Sequence, residues 1–164
     1  MWQMSNDRMF VGSSNLTPRI SPNNVVFDKS FSGFQRFLDN KLFNNMDGWF
    51  TGFTDLEKIE GLENVKFGTD EVSFFSTFEN CVSLEKIDLT PLGNIYINGG
   101  RQAFAYCNKL TEIDMSNIVD YKANKDLQIG KNLFTGMFNN CTNLEKIYVS
   151  DTLEMFDSLE PGFI

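Results

Sequence analysis

A short α/β solenoid, with one brief strand and a helical or 3-10 turn per coil and a cap at each end, is the fold class predicted by three observations. The first is a recurring pattern, Phe-x-x-Cys-x-x-Leu-x-x-Ile-x-apolar. It is carried by Phe78-Glu-Asn-Cys81-Val-Ser-Leu84-Glu-Lys-Ile87-Asp-Leu89, Phe104-Ala-Tyr-Cys107-Asn-Lys-Leu110-Thr-Glu-Ile113-Asp-Met115 and Phe138-Asn-Asn-Cys141-Thr-Asn-Leu144-Glu-Lys-Ile147-Tyr-Val149, with a variant at Phe50-Thr-Gly-Phe53-Thr-Asp-Leu56-Glu-Lys-Ile59. The second is spacing: Phe50 to Phe78 is 28 positions, Phe78 to Phe104 is 26 and Phe104 to Phe138 is 34, within the range of solenoid repeats. The third is a change of period inside each copy. Leu-x-x-Ile-x-apolar alternates with polar residues as a short strand does, whereas Phe-x-x-Cys, preceded four positions earlier by Met46, Phe74 or Phe134, has helical or 3-10 spacing. The third copy departs here, with Gly100 at that position. A unit this short cannot enclose its own apolar face, so stacked copies must join their faces into one core.

Composition fits one such domain. The 164 residues are 41% hydrophobic and 22% charged, ordinary globular proportions, with an unusual 17 phenylalanines. The net charge of −8 and the lack of a basic patch exclude a nonspecific grip on nucleic acid or on an anionic membrane. No long apolar run and no basic-then-apolar leader is seen, so neither membrane insertion nor a secretory signal is expected. Histidine is absent, which removes Ser-His and Cys-His catalysis and histidine-containing zinc sites. Cys81, Cys107 and Cys141 share one repeat position and should form a column. Their odd number, the Phe53 replacement and the absence of CxxC-like spacing predict small buried slots rather than a disulfide, metal or nucleophile site. No cofactor is expected.

In chain order, residues 1–24 form a polar arm with Pro18 and Pro22, yet Trp2, Met4, Met9, Phe10 and Leu16 fit docking on its own domain or on a partner. Residues 25–44 form the N-terminal cap. Val25-Val26-Phe27 reads as a strand and Ser30–Phe43 as a helix, since Phe31, Phe34, Leu38 and Leu42 share one helical face behind Ser30 as N-cap. The repeats span 45–150, with a polar insertion between Asn117 and Asn132. Leu153, Phe156 and Leu159 mark a C-terminal cap in 151–164, ending on the apolar pair Phe163-Ile164.

Written out in this way, the repeat resembles that of the BspA-type leucine-rich repeat family, whose units carry Met-Phe-x-x-Cys-x-x-Leu-x-x-Leu-x-Leu. Met137-Phe138-Asn-Asn-Cys141-Thr-Asn-Leu144-Glu-Lys-Ile147-Tyr-Val149 is the nearest local match, and the lead-ins Asn132-Leu-Phe-Thr-Gly-Met-Phe138 and Asn45-Met-Asp-Gly-Trp-Phe50 look like the family's. The resemblance covers residues 45–150. It implies a leucine-rich repeat fold and a role in adhesion and protein binding, as in the bacterial surface proteins, often of gut or oral Bacteroidetes, that make up most of the family.

In such a coil the strand residues between the apolar ones point to the concave face. Three exposed rows are therefore expected: Lys58, Lys86, Glu112 and Lys146; Glu60, Asp88, Asp114 and Tyr148; and Thr90, Ser116 and Ser150. The first two rows are the candidate protein-binding surface, with Tyr148 as anchor. Trp2, Met4, Phe10, Phe163 and Ile164 are candidate docking residues at the termini. Asp88 and Asp114 on adjacent coils lack the cleft that acid-base chemistry needs and the oxygen cage that calcium needs. The expected function is non-enzymatic protein binding in surface adhesion or attachment. The alternative is a structural or attachment component of a larger homo- or hetero-oligomeric assembly such as a bacteriophage virion, to which the Met1 start, the missing leader and the apolar termini point. An extracellular or cell-surface location goes with the first, a virion-associated or cytoplasmic one with the second.

Overall fold

Residues that alternate apolar and polar over three to five positions form strands too short to stand alone, so their hydrogen bonds must come from the next copy. The computed structural model describes residues 2–4, 22–27, 29, 46–65, 71–120 and 135–151. Its strands are β1 (Trp2–Met4), β2 (Asn24–Phe27), β3 (Lys58–Glu60), β4 (Glu71–Ser73), β5 (Lys86–Asp88), β6 (Ile95–Gly99), β7 (Glu112–Met115), β8 (Ile118–Asp120) and β9 (Lys146–Val149). They form three parallel sheets, ordered β1-β2-β3, β5-β7-β9 and β4-β6-β8. Parallel pairing of equivalent strands from successive copies is the topology of a solenoid.

The Ile-centred strands appear where the alternation predicts them, and Val25-Val26-Phe27 lies in β2. The β1 segment of the polar arm pairs with β2, Trp2 opposite Val25 and Met4 opposite Phe27. The expected helix over Ser30–Phe43 and the C-terminal cap beyond Asp151 lie outside the described residues.

The Phe-x-x-Cys half, expected as a helical or 3-10 turn, has the i to i+3 bonds of 3-10 turns but no continuous helix. It is a run of turns whose i to i+3 bonds, such as Phe53 N to Phe50 O and Cys81 N to Phe78 O, reproduce helical spacing without a helix. Two positions per coil have positive φ: Gly48, Ser76, Gln102 and Gly136 at the first, and Gly52, Asn80, Tyr106 and Asn140 at the second. A left-handed residue every fourth position breaks the right-handed path. It turns alternate amides outward, so Met46, Gly48, Phe50 and Gly52 donate to the carbonyls of Ser73, Phe75, Thr77 and Glu79 on the next coil. The same ladder continues from Phe74 to Asn80 and from Gln102 to Tyr106. Among the described residues the helical elements are two 3-10 turns, Leu62–Asn64 and Thr90–Leu92, and both follow the concave strands.

The core is a set of columns. Phe50, Phe78, Phe104 and Phe138 stack in series, ring centroids 5.1, 5.4 and 5.4 Å apart. Leu56, Leu84 and Leu110 form a second column. In the cysteine column the thiols of Cys81, Cys107 and Cys141 donate to the carbonyls of Phe50, Phe78 and Phe104 at 3.2, 3.1 and 3.0 Å. Each is a free thiol that fits a slot between coils and joins one coil's backbone to the next. At the N-terminal end Phe27 covers the first coil, its ring 6.1 Å from Trp49 and 6.3 Å from Phe50. At the other end Cys141, Leu144 and Ile147 are half-buried and Val149 is 38% exposed. Val149 is thus more open than its apolar repeat position predicts.

Candidate functional site

The β5-β7-β9 sheet sets the candidate rows in register. Lys86 lies opposite Glu112 and Glu112 opposite Lys146; Asp88 lies opposite Asp114 and Asp114 opposite Tyr148. Lys86, Asp88, Lys146 and Tyr148 are exposed and Glu112 and Asp114 half-buried, as the alternation with the buried Ile87 and Ile113 dictates. Within the first row Lys86 Nζ approaches Glu112 at 3.7 Å. Exposed pairs of this kind contribute little to stability.

The second row has a structural task as well. Asp88 Oδ1 accepts from the Thr90 amide at 2.9 Å and hydroxyl at 2.6 Å. Asp114 Oδ1 accepts from the Ser116 amide at 3.1 Å and hydroxyl at 2.7 Å. These Asx-type turns end the strands, so the third row, Thr90 and Ser116, is tied to the second. Tyr148 has no such tie and stands 45% exposed beside Asp114. It is the most exposed large apolar side chain among the described residues.

Lys58 and Glu60 do not continue these rows. They sit on β3, which pairs with β2 and not with β5. There Lys58 Nζ bonds Glu60 at 2.7 Å and Asn24 Nδ2 donates to Glu60 at 3.3 Å. The Lys58 bond first and the Asn24 bond second hold the Glu60 carboxyl below its ordinary value. Trp2 and Met4 contribute backbone pairing in β1, whereas Phe10, Phe163 and Ile164 lie outside the described residues.

Burial pushes the Cys141 thiol up to about 11 and the Cys81 thiol up to about 12, and Cys107 is pushed higher still. A buried neutral thiol packs as a small apolar group, and the thiolate needed for nucleophilic or metal chemistry is suppressed. The unfolded chain gives up these protons first, near pH 9.0. Stability is therefore fully present below that pH and falls as pH rises through the folded values. Urea unfolding between about pH 8 and pH 11 should show the midpoint dropping with alkalinity, and Cys81→Ala should flatten the drop. A midpoint indifferent to pH in this window would mean that the thiols are not held neutral.

Among the described residues no group of three or more acidic, cysteine or histidine side chains is arranged to hold a metal ion. Also among them, no helix is long and apolar enough to cross a membrane. No match is found among curated proteins or among solved structures. The family model described as "BspA type Leucine rich repeat region" matches residues 38–158 in six copies. That is two copies more than the four seen in the Phe-x-x-Cys pattern, over a span slightly wider than 45–150. With three-quarters or so of the chain in those copies, and parallel strands stacked coil on coil, the protein belongs to the BspA-type leucine-rich repeat family.

Proposed function

We propose that the chain is a non-enzymatic binding module that grips a protein partner through the concave rows of β5-β7-β9, in surface adhesion or attachment. Leucine-rich repeats generally mediate protein–protein interaction. The observation that carries the reading is Tyr148, which stands 45% exposed at the end of the acidic row with its rigid strand paired to β7. An exposed tyrosine on a rigid frame loses little entropy when a partner covers it, and tyrosines concentrate at interface hot spots.

A photo-crosslinking side chain at position 148 of the full chain, exposed to surface-shaved and sedimentable-particle fractions of its source culture, should form one dominant adduct. The same probe at Tyr106, on the turn side, should not. Against the partner so identified, Tyr148→Ala with Asp114→Asn is expected to weaken binding by about tenfold or more while the thermal transition stays in place. Unchanged affinity would reject this face. A partner from the surface-shaved fraction supports adhesion, whereas fixed stoichiometry with particle proteins would assign the chain to an assembly instead.

A further inference from the structure

The concave ladder is interrupted between its first and second coils. Glu57 N donates to Asn23 O at 2.8 Å, Thr111 N to Glu85 O and Glu145 N to Thr111 O, both at 2.9 Å. The equivalent bond from Glu85 N to Glu57 O is absent among the described residues, and β3 and β5 belong to different sheets. On the turn side the same two coils stay joined by four bonds of 2.8–2.9 Å, from Met46 to Gly52. The two coils therefore part only along their strands, between the turns on one side and the 3-10 turns Leu62–Asn64 and Thr90–Leu92, which pack on each other, on the other. The Phe50 and Phe78 rings record it, inclined by 16° where the next two pairs are inclined by 7° and 5°.

Asparagines pull the two coils in opposite directions. Asn64 Nδ2 donates to Phe27 O at 2.8 Å, and the Gly61 backbone is pressed so close to Phe27 that a Cβ there would lie 2.0 Å from the same oxygen. The coil of β3 is thus tied back to β2. Asn117 Nδ2 donates to Leu89 O at 2.8 Å and Gly93 O at 2.6 Å, and Leu89 N donates to Asp114 O. The coil of β5 is thus tied forward to β7.

Between them lies a cleft of about 370 Å³ that opens on the half-buried Ile59, with Phe78 and Ile87 buried beneath it and Glu60, Glu63 and Asp88 at its rim. Two of the rim charges are already paired, Lys86 with Glu112 at 3.7 Å and Glu60 with Lys58 at 2.7 Å. In a parallel strand successive residues direct their backbone groups to opposite neighbours. The Lys58 amide faces Asn23, so the backbone groups of Ile59 face the cleft. Glu85 and Leu89 bond toward β7, so those of Lys86 and Asp88 face the cleft from the other wall. Among the described residues no strand pairs with either of these edges, which face each other across Ile59. Such edges recruit an extended chain. The space is at the small end of ligand pockets, roughly 300–1,000 Å³, suited to a short extended stretch.

We propose that this cleft is a second binding site, taking an extended segment of a protein partner in which apolar residues alternate with lysine or arginine. Apolar side chains cover the half-buried Ile59, main-chain groups pair with Ile59 and Lys86, and the basic residues meet Glu63 and Asp88 at the rim of a chain whose net charge is −8. The proposal rests on the reading of the chain as a protein-binding module; it shares Asp88 with the Tyr148 row but uses neither Asp114 nor Tyr148.

The test is fluorescence anisotropy of labelled, end-blocked pentapeptides against the full chain: Lys-Ile-Lys-Ile-Lys, Glu-Ile-Glu-Ile-Glu and Lys-Pro-Lys-Pro-Lys. The first should bind saturably, the acidic peptide about tenfold or more weakly, and the proline peptide weakly because it lacks the ladder donors. Glu63→Gln with Asp88→Asn, which keeps the Thr90 acceptor, should reduce binding of the first peptide several-fold, and the Ile59 amide should exchange more slowly when it is bound. Tyr148→Ala should change nothing. No saturable binding, equal binding of all three peptides, or binding indifferent to the Glu63 and Asp88 changes would overturn the site. If the site falls while Tyr148→Ala still releases the crosslinked partner, the concave-face reading stands.

Discussion

Phe104→Ala is expected to cost about 3–5 kcal/mol, a large part of the roughly 5–15 kcal/mol that holds a typical domain folded. The ring is buried and sandwiched, 5.4 Å from Phe78 at 7° and 5.4 Å from Phe138 at 5°. Its removal opens a cavity between coils that are already fixed by the turn ladder on one side, where the Phe104 amide donates to Met137 O. The wall cannot collapse without breaking that ladder, so the cavity term is retained. In a solenoid the loss falls on two nearest-neighbour interfaces. The coil of β9, with its half-buried Leu144 and Ile147, should separate from the rest at lower urea than the coils before it. Phe104→Leu keeps most of the volume and should cost less than half as much. Urea titration followed by near-ultraviolet circular dichroism checks both, and a loss below about 1 kcal/mol for the alanine variant would mean that the stacked rings are not the spine of the core.

That spine was legible because it repeats. Phe, Cys, Leu and Ile recur at fixed offsets, and stacking converts an offset into a column. The register of β5 and β7 was legible for the same reason, since alternation around the buried Ile87 and Ile113 sets Lys86 opposite Glu112 and Asp88 opposite Asp114. The β4-β6-β8 ladder was not. Glu71–Ser73, Ile95–Gly99 and Ile118–Asp120 share no motif and sit in the segments whose lengths vary. They become strands because the neighbouring ladders bring them to matching heights. The turn run follows the helical or 3-10 spacing of the sequence because i to i+3 bonding imposes that apolar spacing, but the spacing does not show where the helix is broken. The distinguishing signal stands directly before the repeat position of the cysteine: Gly52, Asn80 and Asn140, types that tolerate a left-handed backbone, with Tyr106 obscuring the series. The break between β3 and β5 has no local signature at all. Both copies read Leu-Glu-Lys-Ile, and the parting of the strands depends on Gly61, Asn64 and Asn117 reaching to coils remote in sequence.

Gly61→Ala is the second change expected to be severe, and its partner control is Gly93→Ala. Both glycines have positive φ, +79° and +75°, so alanine at either carries backbone strain of about 1–3 kcal/mol. At Gly93 nothing lies within 4 Å of the added carbon, and strain is the whole cost. At Gly61 the carbon would meet Phe27 O at 2.0 Å and Phe27 C at 2.9 Å. These are backbone atoms of β2, which cannot rotate away. Relief requires β2 and the Leu62–Asn64 turn to part, which breaks the Asn64 bond to Phe27 O and uncovers Val25 and Phe27, both buried. Gly61→Ala should therefore exceed Gly93→Ala by about 2 kcal/mol or more, the scale of losing one buried apolar side chain. It should also move the β3 coil toward β5 and narrow the cleft, so the basic peptide should bind the Gly61 variant more weakly than the Gly93 variant. Equal midpoints for the two in urea would show that the first coil is not held against β2. Equal stability with unequal peptide binding is not an outcome this geometry allows, because the same contact sets both.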